Sequence, residues 1–296
     1  MKVGIVTTWD EKCGLATYSE NIVRNLPQVD WKILGRETWG PNFTNLPGNV
    51  SDCDLVHIMH HGGLMASMSS EIVRTCGKTV ITRQCIGDEG VFSAADIKTA
   101  HIYIPGYRWV PHGIHTIDEI EELNDPPTIG CCGIPFDGKG HMEVVEIAVM
   151  AGVGINSVIP DNPHTGQGMA AHIEAHCARY GVPCTITTDW LPEEEVSKIL
   201  SRNIINVFFY TRQANGISGA IRMGLAATRP VIVNDHSQFA DLITAGAVTV
   251  ASSCAQTAEM IKTNAELASS AAILKAWDYA VIAEVYFTLY KEVLGV

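Results

Sequence analysis

Short apolar runs, each closing on small polar residues or glycine and each followed by a helical stretch, recur along this chain and then start over after an acidic break. In the first half the strands predicted are Lys2 to Thr8, Trp31–Leu34, Leu55–Met59, Thr79–Thr82 and His101–Ile104. The break is the stretch Thr116 to Pro127, which ends Asn124-Asp125-Pro126-Pro127. The second half repeats the pattern with strands at Thr128–Cys132, Ile155–Ile159, Cys184–Thr187, Asn206–Tyr210, Val231–Val233 and Ala247–Ala251. A final helix from about Ala271 to Glu292 carries Trp277, Val281, Val285, Thr288 and Leu289 at helical spacing. Alternating strands and helices predict parallel sheets, and such sheets bind ligands in the loops at the carboxyl ends of their strands. The expected organisation is a Rossmann-like domain over 1–122, a second over 127–270 and a terminal helical segment over 271–296. Two such domains on a short linker predict a cleft between the carboxyl ends of their sheets.

Composition narrows the function. With 32 Asp and Glu against 20 Lys and Arg, the formal charge of -12 argues against a general nucleic-acid surface, although a local basic cleft is compatible with it. An anionic ligand would need positive charge focused at one place. The nine cysteines show no CxxC pairs, which favours reduced core thiols over a disulfide framework or a zinc site. The opening Met-Lys-Val-Gly-Ile-Val reads as a first strand rather than a signal peptide, and no apolar run reaches transmembrane length. The expected location is cytoplasmic, with peripheral contact to a membrane left open.

Three stretches carry chemistry. Around Gly14 a strand, a glycine loop and a helix follow one another, but there is neither a GxGxxG pattern nor a Walker lysine. Gly14 either lets a ligand approach the backbone or simply starts the helix. At the ends of the third and fourth strands stand His57-Ile58-Met59-His60-His61-Gly62-Gly63 and Thr82-Arg83-Gln84-Cys85. Adjacent histidines on an extended chain point opposite ways, so His60 suits substrate hydrogen bonding better than metal binding. The third stretch is Asn215-Gly216-Ile217-Ser218-Gly219, a glycine turn leading into a helix from about Ser218 to Ala227 with Arg222 one turn inside. Unpaired N–H groups at such a turn, with an arginine beside them, favour an anion such as phosphate. The same residues also suit an ordinary loop–helix–strand unit.

The ordered set of motifs resembles GT-B glycosyltransferases, especially the family 4 group of retaining, nucleotide-sugar-dependent enzymes, over most of the chain. The segments that carry the resemblance are Cys13-Gly14-Leu15-Ala16-Thr17-Tyr18, Val110-Pro111-His112-Gly113, Ile129 through Phe136 with Lys139-Gly140, Trp190-Leu191-Pro192, Phe209-Tyr210, Gly216 through Arg222, and Arg229-Pro230-Val231-Ile232-Val233. Trp277 and Tyr290 resemble the final helix of the family. The resemblance implies an α/β GT-B fold, two Rossmann-like domains facing across a cleft, with the C-terminal helix crossing back onto the N-terminal acceptor domain. It implies transfer of a sugar from a nucleoside diphosphate, UDP or GDP, to an acceptor hydroxyl without a metal or other cofactor. Gly14, Lys139, Gly216, Ser218, Gly219 and Arg222 are then the donor and phosphate residues, and His60, Gln84 and Asn215 the candidate catalytic positions. The acceptor is left open among a saccharide, a lipid-linked sugar, a small molecule and a nucleobase of modified DNA.

Several positions depart from the family pattern. Asn215 and Met223 stand where many relatives carry two glutamates eight positions apart. Ile134 stands near the place of an arginine, and Gln84 or Arg83 near the place of a histidine. Two other readings follow. One is a catalytically silent sugar-nucleotide binding module on the same fold. The other is a non-hydrolysing epimerase, which would need a carboxylate constellation that the sequence does not display.

Overall fold

Along the first strand, β1 (Lys2–Val6), side chains alternate between two apolar layers: Val3 and Ile5 enter one and Val6 the other. A strand buried on both faces belongs to a sheet covered on both sides, and that is what forms. The computed structural model describes residues 1–38, 40–85, 88–161, 168–212 and 216–296. The chain divides into two compact units. The first takes Met1–Gly113 and Tyr279–Val296, together with Gly216 and Ile217; the second takes the chain from Ile114 to Asp278 apart from that short piece.

The first unit is a six-stranded sheet of β2 (Asp30–Leu34), β1, β3 (Leu55–His60), β4 (Thr79–Arg83), β5 (Ile97–Ala100) and β6 (Arg108–Trp109), in that order and all parallel. The order reverses direction between β1 and β3, so the loops after those two strands lie at a switch point. The fifth strand runs Ile97–Ala100 rather than over His101–Ile104. Thr99 and Ala100 at its end are buried, whereas Tyr103 beyond it is 81% exposed, before the turn at Pro105-Gly106.

One face of this sheet is closed by the helices Gly14–Arg24 and Tyr279–Leu294. Tyr18 and Ile22 from the first helix, and Ile282, Ala283, Tyr286 and Tyr290 from the second, share a core with Val3, Ile5, Leu55 and Met59. Several polar atoms inside it hydrogen-bond one another. The fully buried His57 ring on β3 has Nδ1 at 2.6 Å from the Tyr290 hydroxyl and Nε2 at 2.7 Å from Thr82 Oγ1. Burial first, and then the neighbouring His101, push its pKa down to about 3, so it is a neutral docking group. Tyr290→Phe strands one imidazole nitrogen in the core. It should cost about 1–3 kcal/mol, read as a lower urea midpoint at unchanged slope.

The second unit is also a six-stranded parallel sheet: β12 (Thr249–Val250), β11 (Val231–Val233), β10 (Ile205–Phe208), β7 (Thr128–Gly130), β8 (Gly154–Val158) and β9 (Cys184–Thr187). Here the reversal lies between β7 and β10, which puts the loops after Gly130 and after Phe208 side by side.

Two boundaries differ from those expected from the sequence. The units part at Gly113 and Ile114, not near residue 122. The acidic stretch belongs to the second unit, because Glu121 N–H donates to Ser201 Oγ and Arg229 donates to Glu121 O. The final helix is two helices, Ala271–Ala276 and Tyr279–Leu294, interrupted at Trp277. Trp277 packs in the second core, and its carbonyl accepts Ile114 N–H at 2.7 Å, which removes that carbonyl from helical pairing.

Candidate functional site

At the switch point of the second unit two loops lock together. Gly138 and Gly140 both have positive φ, and a Cβ on Gly140 would meet Phe209 O at 1.7 Å, so only glycine fits so close to that carbonyl. Thr211 N–H donates to Gly138 O at 2.9 Å. Between these clamps stands Lys139, whose Nζ lies 4.1 Å from the centre of the Tyr210 ring. Among the described residues its ammonium has neither a hydrogen bond nor an ion pair. Burial pushes its pKa down to about 8, opposed by Cys132. A desolvated ammonium over an aromatic face, with no carboxylate, is a place where an anion is favoured.

Tyr210 carries the arrangement onward. Its buried hydroxyl is 2.7 Å from Ser218 Oγ, and its backbone is clasped by Asn234, which accepts Tyr210 N–H at 2.9 Å and donates to Tyr210 O at 2.6 Å. Lys139 and Ser218 are thus brought together through one ring. Ser218 N–H, expected to face a ligand, instead donates to Gln238 O at 3.2 Å. Gly219 precedes the seven-residue helix Ala220–Ala226 with ordinary helical dihedrals.

Arg222, expected to offer a free cation to phosphate, is 2% exposed and forms an ion pair with the equally buried Asp241. It also donates to Ser218 O at 2.9 Å. Its charge is therefore balanced inside the protein, and its visible role is to hold the Ser218 turn. Asn215 lies outside the described residues.

One further group faces this region. His141 opens the helix His141–Ala151, immediately after Lys139-Gly140. It is 5% exposed, with Nδ1 3.3 Å from Cys131 Sγ and a buried Nε2 that has no partner among the described residues. Burial, then the Lys139 charge, lower its pKa to about 4, so the ring is neutral. In the sequence, Tyr210 belongs only to the Phe209-Tyr210 segment and is not marked as a site residue, and His141 is in no motif. The signal for both is position, directly after a strand end and directly after the lysine.

In the first unit, His60 and Gln84 come together because β3 pairs with β4: Gln84 N–H donates to His60 O at 3.0 Å. His60 is buried edge-on against Phe92, 4.8 Å between ring centres, and burial pushes its pKa down to about 4. Its Nδ1 has no partner among the described residues. Gln84 Oε1 is 3.3 Å from His101 Nε2, and His101 Nδ1 is 2.9 Å from Val110 O. His101 and His112 flank Tyr18 at 5.0 and 4.5 Å. Gly14 opens the helix that follows β1, and an added Cβ there would meet nothing within 4 Å, so packing does not require glycine at that position. Gly216 groups with this unit at φ +97, and a Cβ on it would meet Gln84 O at 2.5 Å. Among the described residues no group of three or more His, Cys, Asp or Glu could hold a metal ion. No described helix is long and apolar enough to cross a membrane.

Solved structures of the same architecture match along the whole chain. A glycosyltransferase involved in avilamycin A biosynthesis is 14% identical, with a TM-score of 0.69 over 100% of this chain and 98% of the other. The chain has the GT-B fold. A glycosyltransferase from Rickettsia africae gives 11% identity and a TM-score of 0.70 over 99% and 98% of the two chains. HepE from Anabaena, solved with UDP and glucose, gives 10% identity and a TM-score of 0.64 over 99% and 95%. No family model matches the sequence, and no curated protein matches it. Lys139, Tyr210 and Ser218 all lie in the second unit.

Proposed function

We propose that this GT-B protein is a glycosyltransferase that moves a sugar from a nucleoside diphosphate to an acceptor hydroxyl, with retention and without a metal ion. The observation that carries the reading is Lys139, a half-buried cation with no ion pair among the described residues, at the switch point of a parallel sheet. As the bond from the anomeric carbon to the phosphate oxygen breaks, negative charge grows on the leaving diphosphate. A preorganised ammonium in a dry site stabilises that charge more than it stabilises the intact donor. Tyr210 orients Lys139 through its ring face and Ser218 through its hydroxyl. Arg222 and Asp241 hold the Ser218 turn. The acceptor oxygen attacks from the side the diphosphate leaves, through an oxocarbenium-like transition state, and its proton passes to the departing phosphate. UDP- and GDP-sugars are the donors proposed, since HepE, a structural neighbour, binds UDP. His60 and Gln84 are proposed to contact acceptor or sugar.

A second reading, a silent sugar-nucleotide binder, is favoured by Met223 in the helix Ala220–Ala226, where the resemblance to family 4 leads us to expect an acid. Incubation with UDP-, GDP- and ADP-sugars separates the two. The transferase should be thermally stabilised by one nucleotide and should release it from the sugar in the presence of EDTA. Stabilisation without release across a broad acceptor panel gives the binding module, and no stabilisation by any nucleotide removes the donor-site reading.

A further inference from the structure

Buried polar atoms in a folded protein are nearly always hydrogen-bonded, so one that is not needs an account. Nε2 of His141 is such an atom. The ring is 5% exposed and stands at the start of the helix His141–Ala151. Its other nitrogen is taken: Nδ1 lies 3.3 Å from Sγ of Cys131, which follows β7. The order of protons along this contact is set at its far end. Cys131 N–H donates to Ser157 Oγ at 3.0 Å, so the Ser157 hydroxyl proton goes elsewhere, and Cys131 Sγ lies 3.8 Å from that oxygen. Burial keeps Cys131 a neutral thiol by pushing its pKa to about 12. Its S–H then donates to His141 Nδ1. In the opposite order Ser157 would accept twice and its own proton would have no acceptor among the described residues. A neutral imidazole that accepts at Nδ1 carries its proton on Nε2.

Nε2–H is therefore a buried neutral donor. The Ile134 backbone near the ring favours this donor form, but no described residue accepts from Nε2 within hydrogen-bond geometry. Two positions earlier stands Lys139, whose charge also acts on the ring. The Lys139 ammonium lacks a hydrogen bond or ion pair among the described residues. Gly140, between the two, gives the helix no side-chain cap. The acid of the same loop, Asp137, is 88% exposed and paired with Arg212 at 3.1 Å. We infer that His141 is a further binding residue of the anion site beside Lys139, its Nε2–H donating to an oxygen of a phosphoryl group whose charge Lys139 meets. The two donors differ in kind. Lys139 brings a mobile charge, and His141 brings a directed neutral N–H held in place by Cys131. That the phosphoryl group belongs to a sugar nucleotide rests on the function proposed above; the His141 contact itself does not.

The test uses two substitutions that separate the nitrogens of the ring. His141→Asn keeps an amide near the place of Nδ1, toward Cys131, and removes the donor at Nε2. His141→Gln reaches the place of Nε2 and restores a donor there. Affinities for inorganic pyrophosphate, UDP and GDP are measured by isothermal titration, with urea midpoints taken alongside to show that each variant is folded. His141→Asn should bind pyrophosphate and the cognate nucleotide roughly tenfold more weakly than the parent, and His141→Gln should recover to within about threefold. His141→Asn binding as tightly as the parent, or folded His141→Gln binding as weakly as His141→Asn, would overturn the contact. So would a parent protein that binds neither pyrophosphate nor nucleotide. A parent that binds pyrophosphate, with the variants in the expected order, but binds neither UDP nor GDP strikes the sugar-nucleotide reading alone and leaves the His141 contact standing.

Discussion

Replacing Lys139 with methionine should weaken binding of the cognate nucleoside diphosphate by about 30- to 100-fold, while binding of the bare nucleoside stays the same. The expected loss is about 2–3 kcal/mol, the usual worth of a charge-assisted hydrogen bond in a dry site. Methionine keeps the length and apolar stem of lysine, so the loop and its contact with Tyr210 are retained. The pH dependence gives a second check. In the free protein Lys139 loses its proton at about pH 8. A bound diphosphate favours the ammonium and raises that value. Affinity is therefore full below pH 8 and falls as pH rises through it, by up to about tenfold per unit, until the pKa of the complex is reached. Lys139→Met should be flat over the same range, and Lys139→Arg should keep the charge and lose the slope. Isothermal titration across pH 6.5 to about 9.5 reads all three. A parent protein whose affinity does not change with pH would mean that Lys139 does not meet the diphosphate.

Asp241→Ala should be among the most destabilising single changes in the chain, about 3–5 kcal/mol, because it leaves the Arg222 guanidinium buried with no counter-charge. Arg222→Met should cost a similar amount from the other side. The pair Arg222→Met with Asp241→Leu removes both charges together and should recover most of the loss, a coupling that a double-mutant cycle in urea measures directly. The same double variant also separates two roles. If Arg222 only holds the Ser218 turn, nucleotide affinity in the folded double variant stays within a few-fold of the parent. A fall as large as that of Lys139→Met would return Arg222 to direct phosphate contact.

The two sheets are legible in the sequence because fully buried parallel strands have few alternatives: runs such as Val231-Ile232-Val233 bury both faces in a parallel sheet. What the sequence does not display is strand order. That Lys139 and Tyr210 meet depends on β7 lying beside β10, a pairing between segments far apart in the chain. The pairing of Arg222 is hidden for a related reason. Asp241 stands in a short helix beyond β11, and nothing local to Arg222 marks it as a partner. An arginine one turn into a helix reads as surface until its partner is known. The final helix misled through its apolar periodicity, which runs unbroken across Trp277 even though that residue and Tyr279 belong to different cores.

The helix Tyr279–Leu294 has a bearing on how the protein is made. It supplies Ile282, Tyr286 and Tyr290 to the core of the first unit, whose sheet is complete by Trp109. On a ribosome, that sheet would emerge with this face covered only by the helix Gly14–Arg24 and wait through synthesis of the whole second unit before the other helix arrived. The second unit closes on nearly contiguous chain and can finish first. Unlike a protein whose domains mature in the order of translation, this one has the first made of its two sheets as the later of the two cores to be sealed. Until then, an apolar surface that includes His57 and Met59 would be open to chaperones or to aggregation.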